Sequence, residues 1–142
     1  MSRALILETL ERAGARCADP GPLIYRRLFA LRPDFEGLFV MDTDGGVRAA
    51  MLTTCFNAIL GLLEDSPTQR VILSSSRFAH DGYGLAAADF DLMFVAMRDT
   101  VCELLAEDWT GQAAAAWEKL LREIAAISAS PEQDRPEQGP PE

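Results

Sequence analysis

One histidine, His80, and three cysteines, Cys17, Cys55 and Cys102, are the soft metal ligands of this 142-residue chain. His80 sits in Arg77-Phe78-Ala79-His80-Asp81-Gly82-Tyr83-Gly84-Leu85. A neutral imidazole is the commonest protein ligand for a metal. An apolar helical pattern runs up to His80 and meets Gly82 and Gly84, so a helix ending there would set the imidazole at the mouth of a cleft. The ordinary role of an isolated histidine is a surface or hydrogen-bonded core residue, so the rest of the chain must supply the reason for any other. The cysteines are odd in number, widely spaced and without a Cys-x-x-Cys pair. That fits small buried hydrophobes in a reducing cytoplasm better than disulfides or a metal cluster. There is no Ser/His/Asp order, no phosphate loop and no carboxylate–histidine cluster, so no catalytic residue is assigned.

The elements that must position His80 are helical. Apolar residues recur at helical spacing in residues 2–16 through Ile6, Leu10 and Ala13. Asp19-Pro20 reads as a cap followed by proline in the first turn of a second helix through Ile24, Leu28 and Leu31, which Arg32-Pro33 ends. A short piece, 34–39, and a polar glycine-bearing loop, 41–46, follow. Residues 47–64 form a third helix, with Val47, Met51, Cys55, Ile59 and Leu62 in line. Ser66-Pro67-Thr68-Gln69 is a capping box opening a short helix to His80. A long helix carries Phe90, Met93, Phe94, Met97, Val101 and Leu105; Thr110 caps a last one through Ala113, Trp117, Leu120, Ile124 and Ile127. Strand-like alternation is scarce. The expectation is an all-α domain over 1–128 with about seven or eight helices of uneven length, unlike an up-down four-helix bundle. Residues 129–142 read as a disordered acidic tail rich in Pro and Glu.

Charge narrows the partners. The net charge of −9 argues against nucleic acid or an anionic membrane surface. Apolar runs break well short of the ~20 residues needed to span a bilayer. Glu8 and Glu11 arrive too early for a signal peptide.

Four segments, in order, carry a resemblance to a known family. They are Ile24-Tyr25-Arg26-Arg27-Leu28-Phe29-Ala30-Leu31-Arg32-Pro33, then Gly37-Leu38-Phe39, then His80-Asp81-Gly82-Tyr83-Gly84-Leu85 with Arg77 before it, then Asp108-Trp109-Thr110 with Ala116-Trp117. Over about residues 4–127 the chain resembles the globins, and among them bacterial single-domain haemoglobins and the globin domain of flavohaemoglobins. Phe39 follows Tyr25 by 14 positions and His80 follows Leu52 by 28. These are the separations such globins use between the distal tyrosine and the haem-stacking phenylalanine, and between the aliphatic residue over the iron and the proximal histidine.

The resemblance implies a globin fold, a three-on-three helical sandwich, holding haem b (iron protoporphyrin IX). His80 would be the metal ligand, with the Ser76 carbonyl as acceptor for its other ring nitrogen. A single histidine excludes bis-histidine ligation within one chain. Tyr25 would donate to the bound gas; its ordinary alternative is a core tyrosine with its hydroxyl on a backbone carbonyl. Phe39 would lie on the porphyrin. Leu52 and Leu85 would wall the haem, with Tyr83 and Phe90 beside it. Arg48 falls where relatives often place Gln or His. Its guanidinium would lie over the iron or swing out to a haem propionate, if it is not simply solvated. Arg77 is a second propionate candidate.

Two departures matter. Phe90 stands where the nearest relatives place a tyrosine of the proximal hydrogen-bond network, and the partner glutamate's place falls near Glu132, beyond Pro131. Weak electron push on the iron then argues against peroxidase-like chemistry. The chain also ends at Glu142 with no reductase domain, so catalytic turnover would need a separate reductase. Expected partners are O2, NO or CO; a homodimer is compatible. The functional expectation is reversible gas binding, with nitric oxide dioxygenase-type turnover left open. The alternative is a globin-fold signalling or interaction module.

Overall fold

The structure, a computed structural model, describes residues 2–81 and 87–129, and of positions 2, 77, 79–81, 87, 88, 128 and 129 it describes the backbone alone. Tyr83, Leu85 and nearly all of the acidic tail, Glu132 included, therefore lie outside the described residues. So do the side chains of Arg77 and His80.

Six α-helices and two 3-10 segments make up the described chain. They are α1 (Ser2–Arg16), α2 (Gly21–Leu31), a 3-10 segment (Pro33–Phe39), α3 (Gly46–Leu63), α4 (Pro67–Asp81), α5 (Ala87–Leu105), a 3-10 turn (Ala106–Asp108) and α6 (Gly111–Ala129). Their boundaries follow local chemistry. Ser66 Oγ accepts the Gln69 N–H (3.2 Å) at the start of α4, and Thr110 Oγ1 accepts the Ala113 N–H (3.0 Å) at the start of α6. Both caps fall where the sequence places them. Helix α2 starts one residue later than the Asp19-Pro20 reading, with Pro20 as the flanking residue and Pro22 inside the first turn. Asp19 Oδ1 still accepts the Gly21 N–H (3.2 Å), so the cap reaches in from one position further out.

The helices pack in layers. Helix α2 crosses α5, α1 runs along α6, α3 pairs with α4, and α5 pairs with α6. The core at their crossing is Ile24, Phe94, Met97, Trp117, Leu120 and Ile124, each almost wholly buried. Trp117 is 0% exposed, so its indole N–H must be satisfied inside. It donates to Thr9 Oγ1 (2.9 Å), and that hydroxyl donates to the Ile6 carbonyl (2.6 Å). The helical expectation of an all-α sandwich is met.

Helix α3 is the anomaly. Its 18 residues have a mean hydropathy of 1.5, long and apolar enough on composition to cross a membrane, and a longer apolar stretch than the sequence reading allowed. Yet only 28% of it is buried. Leu52, Ala58, Ile59 and Leu62 are covered, while Met51, Cys55 and Phe56 are half-covered. Exposing that much apolar surface costs roughly 25 cal/mol per Å2, so this helix lacks a cover on part of its circumference.

Helices α3 and α4 touch closely at Gly61. A Cβ placed there would come 2.3 Å from Gln69 Cβ and 2.2 Å from its Cγ, too near the helix axis for a rotamer change to relieve. Gly61→Ala is expected to destabilise the fold by about 2 kcal/mol through overpacking, read as a lower denaturant midpoint. An unchanged midpoint would show that the two helices separate freely there.

Candidate functional site

Below α3 lies a cleft of about 190 Å3, walled by Phe35, Leu38 and Phe39 of the 3-10 segment, Met51, Thr54 and Cys55 of α3, and Phe90 and Met93 of α5, with Leu28, Asp89 and Ser76 at its edges. It adjoins the bare flank of α3. Ser76 is its contribution from α4. Position 80 follows Ser76 by one helical turn, on the same stripe of α4. The only histidine thus lies on the helix that edges the cleft, one turn beyond the residue that α4 contributes to it.

Polar groups within the cleft are held neutral or paired. Burial pushes the Cys55 thiol up to about 12, so it lines the cavity as a thiol and not a thiolate. Asp89 is ion-paired to Arg32, whose guanidinium also lies 4.5 Å from the Phe35 ring centre. Phe90 contacts Phe94 (6.3 Å between centroids) and offers no hydroxyl. Among the described residues no three His, Cys, Asp or Glu side chains come together as a metal site.

On the α2 side stands an aromatic trio. Tyr25 meets Phe39 edge-on at 5.6 Å, Tyr25 and Phe29 are 5.8 Å apart, and Phe29 and Phe39 5.9 Å. Tyr25 and Phe39, singled out in the sequence by their spacing, are in direct contact. The Tyr25 hydroxyl donates to the Arg48 carbonyl (2.8 Å), which is the core-tyrosine arrangement weighed in the sequence. Burial, the main cause, raises the phenol's pKa, so Tyr25 keeps its proton as a donor across the physiological range. Its ring and Leu52 line a second cavity between α2 and α3, not the cleft.

Arg48 takes a third arrangement: away from the cleft lining and partly exposed, it is held by Asp42. Its Nε donates to Asp42 Oδ2 (3.1 Å) and its Nη2 to the Asp42 carbonyl (3.0 Å). The physical reason is Asp42, whose side chain is 4% exposed and would otherwise be a buried unpaired charge. Asp42 also caps α3 from outside it: Oδ1 accepts the Val47 N–H (3.0 Å) and Oδ2 the Arg48 N–H (2.9 Å). Gly45, at φ 77°, supplies the left-handed step that lets the loop fold back this way. Asp42 escaped the sequence reading, which saw only a polar loop; a carboxylate four residues ahead of the helix start was the available signal.

The backbone N–H of Val47, first among several hydrogen bonds, holds the Asp42 carboxyl below its ordinary range. A depressed folded-state value means stability that is present above the unfolded value and lost as pH falls through the folded one. Asp42→Asn is therefore expected to destabilise the protein at neutral pH, with the gap to the parent closing in acid. Equal denaturant midpoints at neutral pH would refute this.

Comparison with known families places these features. The globin family model matches residues 23–128. The match spans α2 to α6, most of the chain, and the chain belongs to the globin family. That family binds haem, and through it gases such as O2. No curated protein matches the chain.

Proposed function

We propose that this chain is a single-domain haem globin of the bacterial kind that reversibly binds O2 or another diatomic gas, with haem b in the cleft and His80 as the iron ligand. The observation that carries the reading is the incomplete cover of α3. An apolar helix is left bare beside an aromatic-walled cleft, and the chain's one histidine sits a turn beyond the cleft's α4 residue. The fit to a tetrapyrrole is chemical: Phe39, Met51, Cys55, Phe90 and Met93 give flat apolar contact, and the macrocycle itself needs only one axial protein ligand. At about 190 Å3 the cleft is smaller than an ordinary ligand pocket of roughly 300–1,000 Å3. A tetrapyrrole would require it to widen, and Leu38, 66% exposed, lies in its wall.

Haem, once held, supplies the reversible coordination of a diatomic gas. The chain's residues do the rest. The Ser76 carbonyl, one turn before position 80, would be the acceptor that orients the His80 ring. Phe39 and Met51 exclude water. Tyr25 keeps its proton and would be the donor to a bound gas, in exchange for the Arg48 carbonyl that now accepts from its hydroxyl (2.8 Å). Arg48 stays with Asp42 and sets the carbonyl against which Tyr25 rests. Phe90, in the cleft wall, has no hydroxyl to offer a proximal histidine, which would favour holding gas over peroxidase-like chemistry. Nitric oxide dioxygenase-type turnover would draw electrons from a separate reductase, and we place the protein in the cytoplasm.

The test is gas difference spectroscopy on haem-loaded protein. Reversible spectral change with O2 and with CO, at one gas per chain, supports the proposal. A haem-loaded protein indifferent to both gases would favour a signalling module instead.

A further inference from the structure

Helices α1 and α6 run antiparallel. Arg16, which ends α1, pairs with Asp108 just ahead of α6, Thr9 meets Trp117, and Glu123 acts on Arg3 near the other end. Between the two helices lies an open groove of about 820 Å3, with Leu5, Gln112 and Ala116 along it. Its charged residues are Glu8, Lys119 and Arg122. Glu8 is bonded to Arg12 (3.4 Å), and every arginine of α1 has a carboxylate partner. Glu123 is outside the groove's lining; the raised pKa of Arg3 comes first from its hydrogen bond to Asp65 and last from Glu123. Lys119 and Arg122 are both exposed, and among the described residues neither has a carboxylate within ion-pair distance. Three positions apart on one helix, they share a face. In a chain of net charge −9, two neighbouring cations without an anion call for one.

We propose that the acidic segment 130–142 of the same chain folds back into this groove, sets its carboxylates on Lys119 and Arg122, and straps α6 to α1. The inference does not rest on the haem reading. Three observations carry it. The first is charge: the segment holds Glu132, Asp134, Glu137 and Glu142 against the single Arg135, opposite in sign to the cations in the groove. The second is reach. The segment begins where α6 ends, at Ala129, on the Arg122 side of the groove. Extended at about 3.1 Å per residue it covers roughly 40 Å, and the way back along α6 from Ala129 to Gln112 is roughly 26 Å at about 1.5 Å per residue. The third is form. Pro131, Pro136, Pro140 and Pro141 favour the extended polyproline shape, which gives up little entropy on docking, and Ala4, Ala115 and Ala116 keep the groove's walls low. Exposed ion pairs are individually weak. They suffice here because a tethered segment meets its site at an effective concentration near millimolar, so the strap is reversible and sensitive to salt.

Heteronuclear NOE measurements on the nitrogen-15-labelled full chain read the segment's motion directly. They are made at about 10 mM salt, where charges act over roughly 30 Å, and at about 1 M, where they act over roughly 3 Å. The amides of Glu132, Asp134 and Glu137 are expected to give positive values at low salt and values near zero or below at high salt. Lys119→Glu combined with Arg122→Glu is expected to release them already at low salt; both positions are exposed, so the fold should tolerate the change, and Lys119→Gln alone serves if it does not. Adding Glu132→Lys and Asp134→Lys to that pair is expected to restore the docked values. Arg26→Glu, an equal loss of cation on the exposed face of α2, is expected to leave the segment docked. Tenfold dilution is expected to change nothing, because the contact is within one chain. The strap is overturned if the segment's amides are equally mobile at both salts or if charge reversal in the groove leaves them as in the parent. It is overturned as well if Arg26→Glu frees them to the same extent, which would make net charge the cause. Loosening on dilution would overturn it in favour of a second copy.

Discussion

His80→Ala is expected to release haem from the protein or leave it bound without its axial nitrogen, changing the main absorption band in either case. The effect should be the largest of any single substitution. The cleft walls contribute non-directional apolar contact, which other side chains partly replace; the axial bond has one donor. No second histidine exists in the chain, and the Cys55 thiol, pushed up to about 12 by burial, does not supply a thiolate in its place. Exogenous imidazole is expected to restore the band in His80→Ala, because the variant leaves room where the ring stood. An unaltered spectrum in the variant would assign the iron to another residue.

Tyr25→Phe is the second large expectation: it should speed oxygen loss by about ten- to a hundredfold. A hydrogen bond to a partly charged acceptor in a dry site contributes roughly 1.5–3 kcal/mol, and each 1.36 kcal/mol is about tenfold in rate. Arg48→Leu should act much less on oxygen, because its guanidinium is engaged by Asp42 at 3.1 Å. Its cost falls on stability, since it leaves the Asp42 carboxylate buried without its cation. Stopped-flow oxygen dissociation on both variants decides the matter. Equal or reversed effects would make Arg48 the donor and require it to leave Asp42 in the loaded protein.

What was legible in the chain was whatever has a period or a local rule. The last helix announced itself through Trp117, Leu120, Ile124 and Ile127, and all four are buried. Ser66 and Thr110 cap helices because a hydroxyl at that position has a defined backbone partner within three residues. The 14-residue spacing of Tyr25 and Phe39 was legible, but it did not say that the two rings touch each other, as they do at 5.6 Å. What was hidden depends on loops and on which of several partners a long side chain selects. Nothing in the order Asp42-Thr43-Asp44-Gly45-Gly46 says that the first carboxylate turns inward and takes Arg48. Leu52 and Met51 are neighbours in sequence, and the helical period alone could not say that the first lines the cavity between α2 and α3 and the second the cleft.

Haem titrated into the purified full chain and followed by absorption puts the central claim to its most direct test. The account predicts a sharp end point at one haem per chain, a spectrum characteristic of histidine ligation, and loss of that spectrum in His80→Ala. A featureless rise with no end point, equal for the parent and His80→Ala, would contradict it.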